Sequence, residues 1–373
     1  MTYLNNAATT FPKPQSVINA MIAALRLPPS NQFRSESGGT DVLQQCRDVL
    51  GRLFSIADTD RIFFTSGATD ALNRLIFGLD LSETPVVITP TEHNSVLRPL
   101  FNNAQTRDKI SVLPCNSSGL VEPKSFPRGA LVIVNHCSNV TGCIQNLPEL
   151  CRKTHEAGGL ILVDASQSAG CLPIDVDGWG IDMLAFTGHK SLFGAQGTGG
   201  FYVRRGITLR PLLYGGTGKD SARLRYDDEN YEYEVGTQNA VGIASLCAGA
   251  EYVLQRGVDV IAETEQRRIL MLRNRLAELP NVIVYGDEQL CRGPLLSFNI
   301  QGFSPADAGY ILQNVYDITL RTGLHCSPIM HEQLGTMPQG TIRVSISDLT
   351  TDADLDQFLA AVAELSQSKN QTI

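Results

Sequence analysis

Two stretches decide how this chain is read. They are Leu160-Ile161-Leu162-Val163-Asp164-Ala165-Ser166-Gln167-Ser168-Ala169-Gly170 and, downstream, Ile181-Asp182-Met183-Leu184-Ala185-Phe186-Thr187-Gly188-His189-Lys190. In the first, an apolar run ends in Asp164. It reads as a buried parallel strand delivering a carboxylate at its C-terminal edge, where open α/β sheets place their ligands. In the second, an apolar strand runs up to Lys190 and is followed by Gly194-Ala195-Gln196-Gly197-Thr198-Gly199-Gly200, whose glycines let backbone approach a ligand closely. A lysine at a buried strand end loses water, and its amine becomes the weaker base that a Schiff-base nucleophile requires. Taken singly, Lys190 reads as a surface loop residue and Asp164 as a helix cap. Together they point to pyridoxal 5'-phosphate, whose pyridinium nitrogen needs a carboxylate partner if the ring is to accept carbanion electrons. Gln167 is then placed to reach the ring's phenolic oxygen.

Working outward, short apolar segments alternate with helical patterns from Arg61 to Val203, the signature of a parallel sheet covered on both faces. Strands are expected at Arg61-Thr65, Val86-Thr89, Ile110-Leu113, Leu131-Asn135, Leu160-Asp164, Met183-Phe186 and Gly200-Val203. A long helical region follows from about Asn239 to Leu279, interrupted near Gly257. From Pro280 the pattern becomes strand, strand, helix, strand, helix and closes on the amphipathic Thr351-Ser366. This gives an α/β large domain over 15–255 and a small α+β domain over 1–14 plus 256–373, with a frayed polar end over the last seven residues.

With 373 residues, 43% of them hydrophobic and 18% charged, the chain can bury a core for one large and one small domain. A formal charge of -8 supplies no phosphate-neutralising surface, which argues against nucleic acid or an anionic membrane as partner. No apolar run approaches the ~20 residues of a membrane span, and the start lacks a basic region before an apolar core, so a cytoplasmic protein is expected. The nine cysteines are scattered singly without C-x-x-C spacing, so neither a disulfide framework nor a metal site is expected. All except Cys326 read as small buried hydrophobes.

Thr65-Ser66-Gly67-Ala68-Thr69-Asp70-Ala71 follows a strand and opens a helix. Unpaired backbone N–H groups there, at Ala68 among others, with the Thr69 hydroxyl, would hold a phosphate; without one, the segment is an ordinary capped helix. Two other glycine-rich stretches fail as nucleotide loops. Gly215-Gly216-Thr217-Gly218-Lys219-Asp220 lacks the earlier glycine and ends in Asp, and Gly197-Thr198-Gly199 lacks the third dinucleotide glycine, so both read as turns.

Asp164-Ala165-Ser166-Gln167, Thr187-Gly188-His189-Lys190 and Arg321-Thr322-Gly323-Leu324-His325-Cys326 resemble the class V aminotransferase-like cysteine desulfurases and selenocysteine lyases. The likeness runs in the same order from Leu4-Asn5-Asn6-Ala7-Ala8-Thr9-Thr10 to Arg343. It implies a fold-type I pyridoxal phosphate transferase with a seven-stranded, mostly parallel large domain. It implies Lys190 as Schiff-base lysine and general base, Asp164 and Gln167 on the ring, His93 stacked over it with a proton-shuttling role, and Asn139 near the phenolic oxygen and the substrate carboxylate. Thr187 and His189 join Ala68 and Thr69 at the phosphate, and Gly236 with Thr237 reaches the phosphate of the neighbouring subunit in a homodimer. Ala8, Asn139, Arg321 and Arg343 fall to the substrate, Arg343 as the clamp for its carboxylate.

Cys326 separates the mechanisms within this resemblance. An aminotransferase needs no thiol, whereas a desulfurase turns cysteine into alanine by letting a protein thiolate take the sulfur as a persulfide. That step is expected to need a mobile, partly exposed Cys326 of depressed pKa, with His325 and Arg321 steadying the thiolate. Because Cys326 follows Gly323 without a long insertion, the chain resembles the short-loop subgroup, which relies on a sulfur-acceptor protein. The segment Ser345-Ile346-Ser347-Asp348-Leu349-Thr350-Thr351 lacks the Tyr-Asn-Thr that usually follows the arginine strand. A selenocysteine lyase, a cysteine sulfinate desulfinase or another cysteine C–S lyase of the same fold therefore stays open, as does a cofactor-free scaffold.

Overall fold

A computed structural model describes residues 1–26, 41–217, 222–225 and 233–368. Residues 218–220 of the second glycine-rich stretch and residues 369–373 of the end expected to fray lie outside the described residues.

The strands Leu131–Asn135, Leu160–Asp164 and Met183–Thr187 bury almost every side chain, because the sheet they form is covered on both faces and has no use for alternation. They are the centre of a seven-stranded sheet in the order Ile62–Thr65, Gly199–Val203, Met183–Thr187, Leu160–Asp164, Leu131–Asn135, Val86–Ile88, Ile110–Val112. The five strands from Ile110–Val112 to Met183–Thr187 pair in parallel. Gly199–Val203 runs antiparallel to both of its neighbours. Residues 188–198 contain no helix that could carry the chain back across the sheet, so the strand after Lys190 must return alongside.

The long helical region is two helices, Ala240–Arg256 and Val258–Ala277, parted at Gly257, whose φ of 86° an L side chain rarely adopts. The small domain is an antiparallel sheet in the order Arg321–Gly323, Thr341–Ser345, Leu295–Ile300, Val282–Val284. Its core joins Phe298, Ile342 and Val344 to Leu312 and Phe358 of two covering helices, and to Leu4 from the start of the chain. Thr2–Tyr3 pairs in parallel with Ile318–Thr319, which stitches the N-terminal segment to this half. The last helix, Asp352–Gln367, opens on a capping box of Thr351 and Asp354. Beyond Pro280 the sequence pattern passes over the short strands Ile318–Thr319 and Arg321–Gly323 and the helix Pro328–Gln333. Elements of two to six residues are too brief to carry a readable period.

Candidate active site

Sheet register sets the site. Asn135 lies opposite Asp164, and Asp164 opposite Ala185, so the first two strands end level and Met183–Thr187 runs two residues further along the same edge. A cavity of about 310 Å³ opens there. Asn135, Asp164, Gln167, Thr187, His189 and Lys190 line it from the large sheet, Ala68, Thr69 and His93 from two helix starts, and Ala8 from the N-terminal segment. Arg321 and Arg343 close it from the small domain.

At the strand edge, Asp164 is buried and its Oδ1 accepts from the Ser166 backbone N–H at 2.9 Å. Loss of water pulls the Lys190 ammonium down to about 8; the Asp164 charge pulls the other way, and the Arg343 and Arg321 charges reinforce the fall. His93 caps the helix Asn94–Asn102, its Nδ1 accepting from the Ser95 N–H at 3.0 Å. That bond leaves the proton of a neutral ring on Nε2. Burial, and next the Lys190 charge, lower His93 to about 4, so it is neutral at pH 7. Gln167 spends one N–H on the Ala7 carbonyl at 3.0 Å and so ties the N-terminal segment to the cavity wall.

Sequence reasoning passed over Glu92. It is fully buried, its Oε1 accepting from Thr89 Oγ1 at 2.6 Å and from the Asn135 N–H at 2.7 Å, while Oε2 has no partner. Burial, with repulsion from Asp164, raises its carboxyl to about 8 against the hydrogen bond from Thr89. Glu92 is thus a neutral acid behind Asp164 at pH 7. Its signal in sequence is a carboxylate directly preceding a strand-end histidine, which by itself looks like a loop residue.

At the opposite end, the helix Ala68–Gly78 starts from Gly67 at φ 149°, and its first N–H groups, including those of Ala68 and Thr69, have no acceptor within the helix. The Thr69 hydroxyl meets Ser95 Oγ at 2.7 Å, and that oxygen lies 3.0 Å from His93 Nδ1. Ser95, another residue the sequence reading left aside, therefore links the helix start to the histidine. A Cβ placed on Gly67 would meet Thr187 Oγ1 at 3.7 Å, which sets that hydroxyl beside the same loop. The His189 ring is made a weaker base, to about 4, by burial and the Lys190 and Lys13 charges, and its Nδ1 is buried without a partner. Its carbonyl collects Thr10 N, Thr9 Oγ1 and Lys13 Nζ at 3.0, 3.1 and 2.9 Å, so the start of the chain braces the residue before Lys190. Gly236 and Thr237 are exposed and are not among the residues lining this cavity.

The small-domain end is built from like charges. Arg321 and Arg343 face one another across an antiparallel pair. Arg343 is buried, donates Nη1 to the Asn139 carbonyl at 2.9 Å, and leaves Nε and Nη2 without partners. Burial and the neighbouring Arg321 charge pull it down to about 9. Two cations lining one cavity, one of them with Nε and Nη2 unpartnered, call for an anion.

Cys326 stands beside them, Sγ 3.6 Å from Arg321 Nη2. Contrary to the expectation of a mobile thiol, its loop is pinned. Asn139 Nδ2 donates to the His325 carbonyl at 2.6 Å, Ser327 Oγ donates to Asn139 Oδ1 at 2.7 Å, and Asn94 N–H to the Cys326 carbonyl at 2.7 Å. His325 and Cys326 both hold left-handed backbone, at φ 49° and 62°. His325 is no thiolate partner either. Its ring turns into the small domain, Nε2 3.1 Å from Thr341 Oγ1, and burial together with the Arg343 charge keeps it neutral. Asn139 lines the cavity, and both ends of its amide also hold the loop.

The orphaned atoms of Asn135, His189 and Arg343, with the open helix start, fit a phosphate-bearing heteroaromatic group and an anionic substrate. A strand-end lysine and acid on such a sheet define a fold-type I α/β enzyme. The chain belongs to the class-V aminotransferase family, whose model matches residues 2–358. Among its relatives, a probable cysteine desulfurase of Methanothermobacter thermautotrophicus is 31% identical, over 98% of this chain and 94% of its own. One from Pyrococcus abyssi is 30% identical with the same coverage of 98% and 94%. The apo structure of a cysteine desulfurase from Thermococcus onnurineus matches with a TM-score of 0.85 at 28% identity, over 98% of this chain and 94% of that one.

Proposed function

We propose that the protein is a pyridoxal phosphate-dependent cysteine desulfurase that converts L-cysteine to L-alanine and takes the sulfur onto Cys326 as a persulfide. The observation that carries this reading is the thiol of Cys326 set against Arg321, which lines one cavity together with Arg343, Lys190 and Asp164. An aminotransferase would have no use for that thiol.

Lys190, Asp164, Gln167 and His93 would hold the ring of the cofactor, and Ala68, Thr69, Thr187 and His189 its phosphate. When bound, pyridoxal phosphate supplies an electron sink for negative charge developing at the substrate Cα. Arg343 Nε and Nη2 would take the substrate carboxylate in a two-pronged contact, which orients Cα toward Lys190. Lys190 Nζ, a weaker base than an exposed lysine, holds and returns the Cα proton. Cys326 Sγ, beside Arg321, takes the substrate sulfur: an S–S bond forms, the substrate C–S bond breaks, and its electron pair stays with the carbon that becomes the alanine methyl group.

We further propose a homodimer, in which the exposed Gly236 and Thr237 reach the partner's phosphate end, and a sulfur-acceptor protein that discharges a loop too pinned to travel. Nine unpaired cysteines and the absence, among the described residues, of a helix long and apolar enough to cross a membrane support placement in the reducing cytoplasm. Turnover of L-cysteine by the purified holoenzyme, followed as alanine against pyruvate, tests the proposal. Alanine as product, with a loss of ~100-fold or more in Cys326→Ala, is expected. Pyruvate as product, or undiminished sulfide release by Cys326→Ala, would overturn it.

A further inference from the structure

Away from the active site, Cys143 of the large domain and Cys291 of the small domain face each other in an isolated antiparallel bridge. The flanking bonds are Ile144 N to Leu290 O at 3.2 Å and Gly293 N to Gly142 O at 2.8 Å. The two cysteines exchange no backbone bond, since Cys291 N donates to Asp287 O and the Cys143 carbonyl accepts from Ser138 N. Such a non-hydrogen-bonded pair brings Cα atoms to roughly 4.5 Å, inside the ~4.4–6.8 Å that a disulfide spans. The two thiols are close enough to shift each other's titration in opposite directions.

We propose that Cys143 and Cys291 form a reversible dithiol–disulfide pair, oxidised by a peroxide, that fastens the loop carrying Asn139 to the small domain. This stands independently of the desulfurase reading. Cys291 borders a separate cavity of about 360 Å³ together with Arg267, Arg273 and Arg292, which gives a small oxidant a way in. Arg273 is buried there with Nε and Nη2 unpartnered. The neighbouring Cys143 thiol, and, against burial, the Arg273 charge, bring the Cys291 thiol down to about 7, while Cys291 and burial hold Cys143 as a thiol. The roles are therefore unequal. The Cys291 thiolate attacks a peroxide oxygen, the O–O bond breaks, and one hydroxide leaves to be protonated to water, giving the sulfenic acid. Cys143 sulfur then attacks Cys291 sulfur, the S–S bond forms and the S–O bond breaks. The second oxygen leaves as water with the Cys143 proton, so two thiols and one hydrogen peroxide give one disulfide and two waters.

The position of the pair gives the bond its consequence. Residues 138–143 form a closed turn, with Gly142 N to Ser138 O at 3.0 Å, and Asn139 in that turn grips the Cys326 loop and Arg343. A covalent tie at 143 holds the turn against the strand Leu295–Ile300 that pairs with the arginine strand.

The test uses Cys115→Ser/Cys326→Ser holoenzyme, which removes the two partly exposed thiols, treated with one equivalent of hydrogen peroxide and then alkylated under denaturing conditions and mapped by mass spectrometry. The expected result is a peptide pair cross-linked through 143 and 291 that dithiothreitol reverses, with a rise of several degrees in the melting midpoint. In Cys143→Ser the same treatment should leave Cys291 as a sulfenic acid that dimedone captures. Recovery of both cysteines alkylated and uncross-linked, or cross-links only to other cysteines, would overturn the proposal.

Discussion

The two ends of the active-site cavity are made differently. The cofactor end is a row of strand and helix termini, Asn135, Asp164, Thr187 and Gly67, whose positions follow from a single sheet register. The substrate end is assembled across a domain boundary: Arg321 and Arg343 come from the small sheet, and the Cys326 loop is held by Asn139 and Asn94 of the large domain. One end is held rigid by backbone hydrogen bonding in a buried sheet. The other depends on a few side-chain contacts, and on charges left incomplete until an anion arrives. The lesson is that cofactor retention and substrate handling should separate under mutation.

The largest effect belongs to the cofactor end. Lys190→Ala should lower alanine formation by at least ~10⁴-fold, since both the covalent anchor and the base disappear. The visible absorbance of the holoenzyme should vanish with it. A variant that kept both colour and turnover would dissolve the distinction between the ends. Next comes Arg343→Ala, which removes the two charge-assisted donors that the proposed mechanism gives to the substrate carboxylate. At roughly 1.5–3 kcal/mol for each, kcat/KM should fall by ~10²–10⁴-fold with the absorbance retained. An unchanged KM for cysteine would show that the orphaned guanidinium does not meet the carboxylate.

The same contrast decides what could be read from residues alone. All seven large-sheet strands, the break at Gly257 and the acid–lysine pair were legible, because long apolar runs and punctuating glycines carry their meaning locally. The behaviour of Cys326, His325 and Asn139 was not. Whether His325 steadies a thiolate or faces Thr341 depends on a left-handed turn and on packing against another domain, and neither leaves a trace within the heptad of residues around it. Gly142 illustrates the point, as a glycine read only as part of a turn. Its φ is 73°, and an added Cβ would meet the Leu295 carbonyl at 2.6 Å, so it is where the turn presses against the small sheet. Gly142→Ala should cost about 1–3 kcal/mol in stability and slow turnover by ~10-fold while leaving cofactor absorbance intact. Loss of bound cofactor in that variant would mean that the two ends are one unit.

Glu92→Gln should disturb turnover least, by less than about tenfold at pH 7, because the amide keeps the acceptor for Thr89 and Asn135. Its interest is in the pH dependence. The carboxyl of Glu92 titrates at about 8 when folded and at 4.5 in its ordinary state, so the folded protein binds an extra proton between those values. Stability contributed by the neutral acid is fully present below about 4.5 and drains away as pH rises toward 8, where both states are ionised. Removing the titrating group removes that slope, so Glu92→Gln should gain on the wild type steadily from pH 5 to pH 8 in melting experiments on the holoenzyme. Parallel pH profiles for the two proteins would place the charge on Glu92 already at neutral pH. Asp164 would then share its buried edge with an ionised neighbour, where the structure gives it a neutral one.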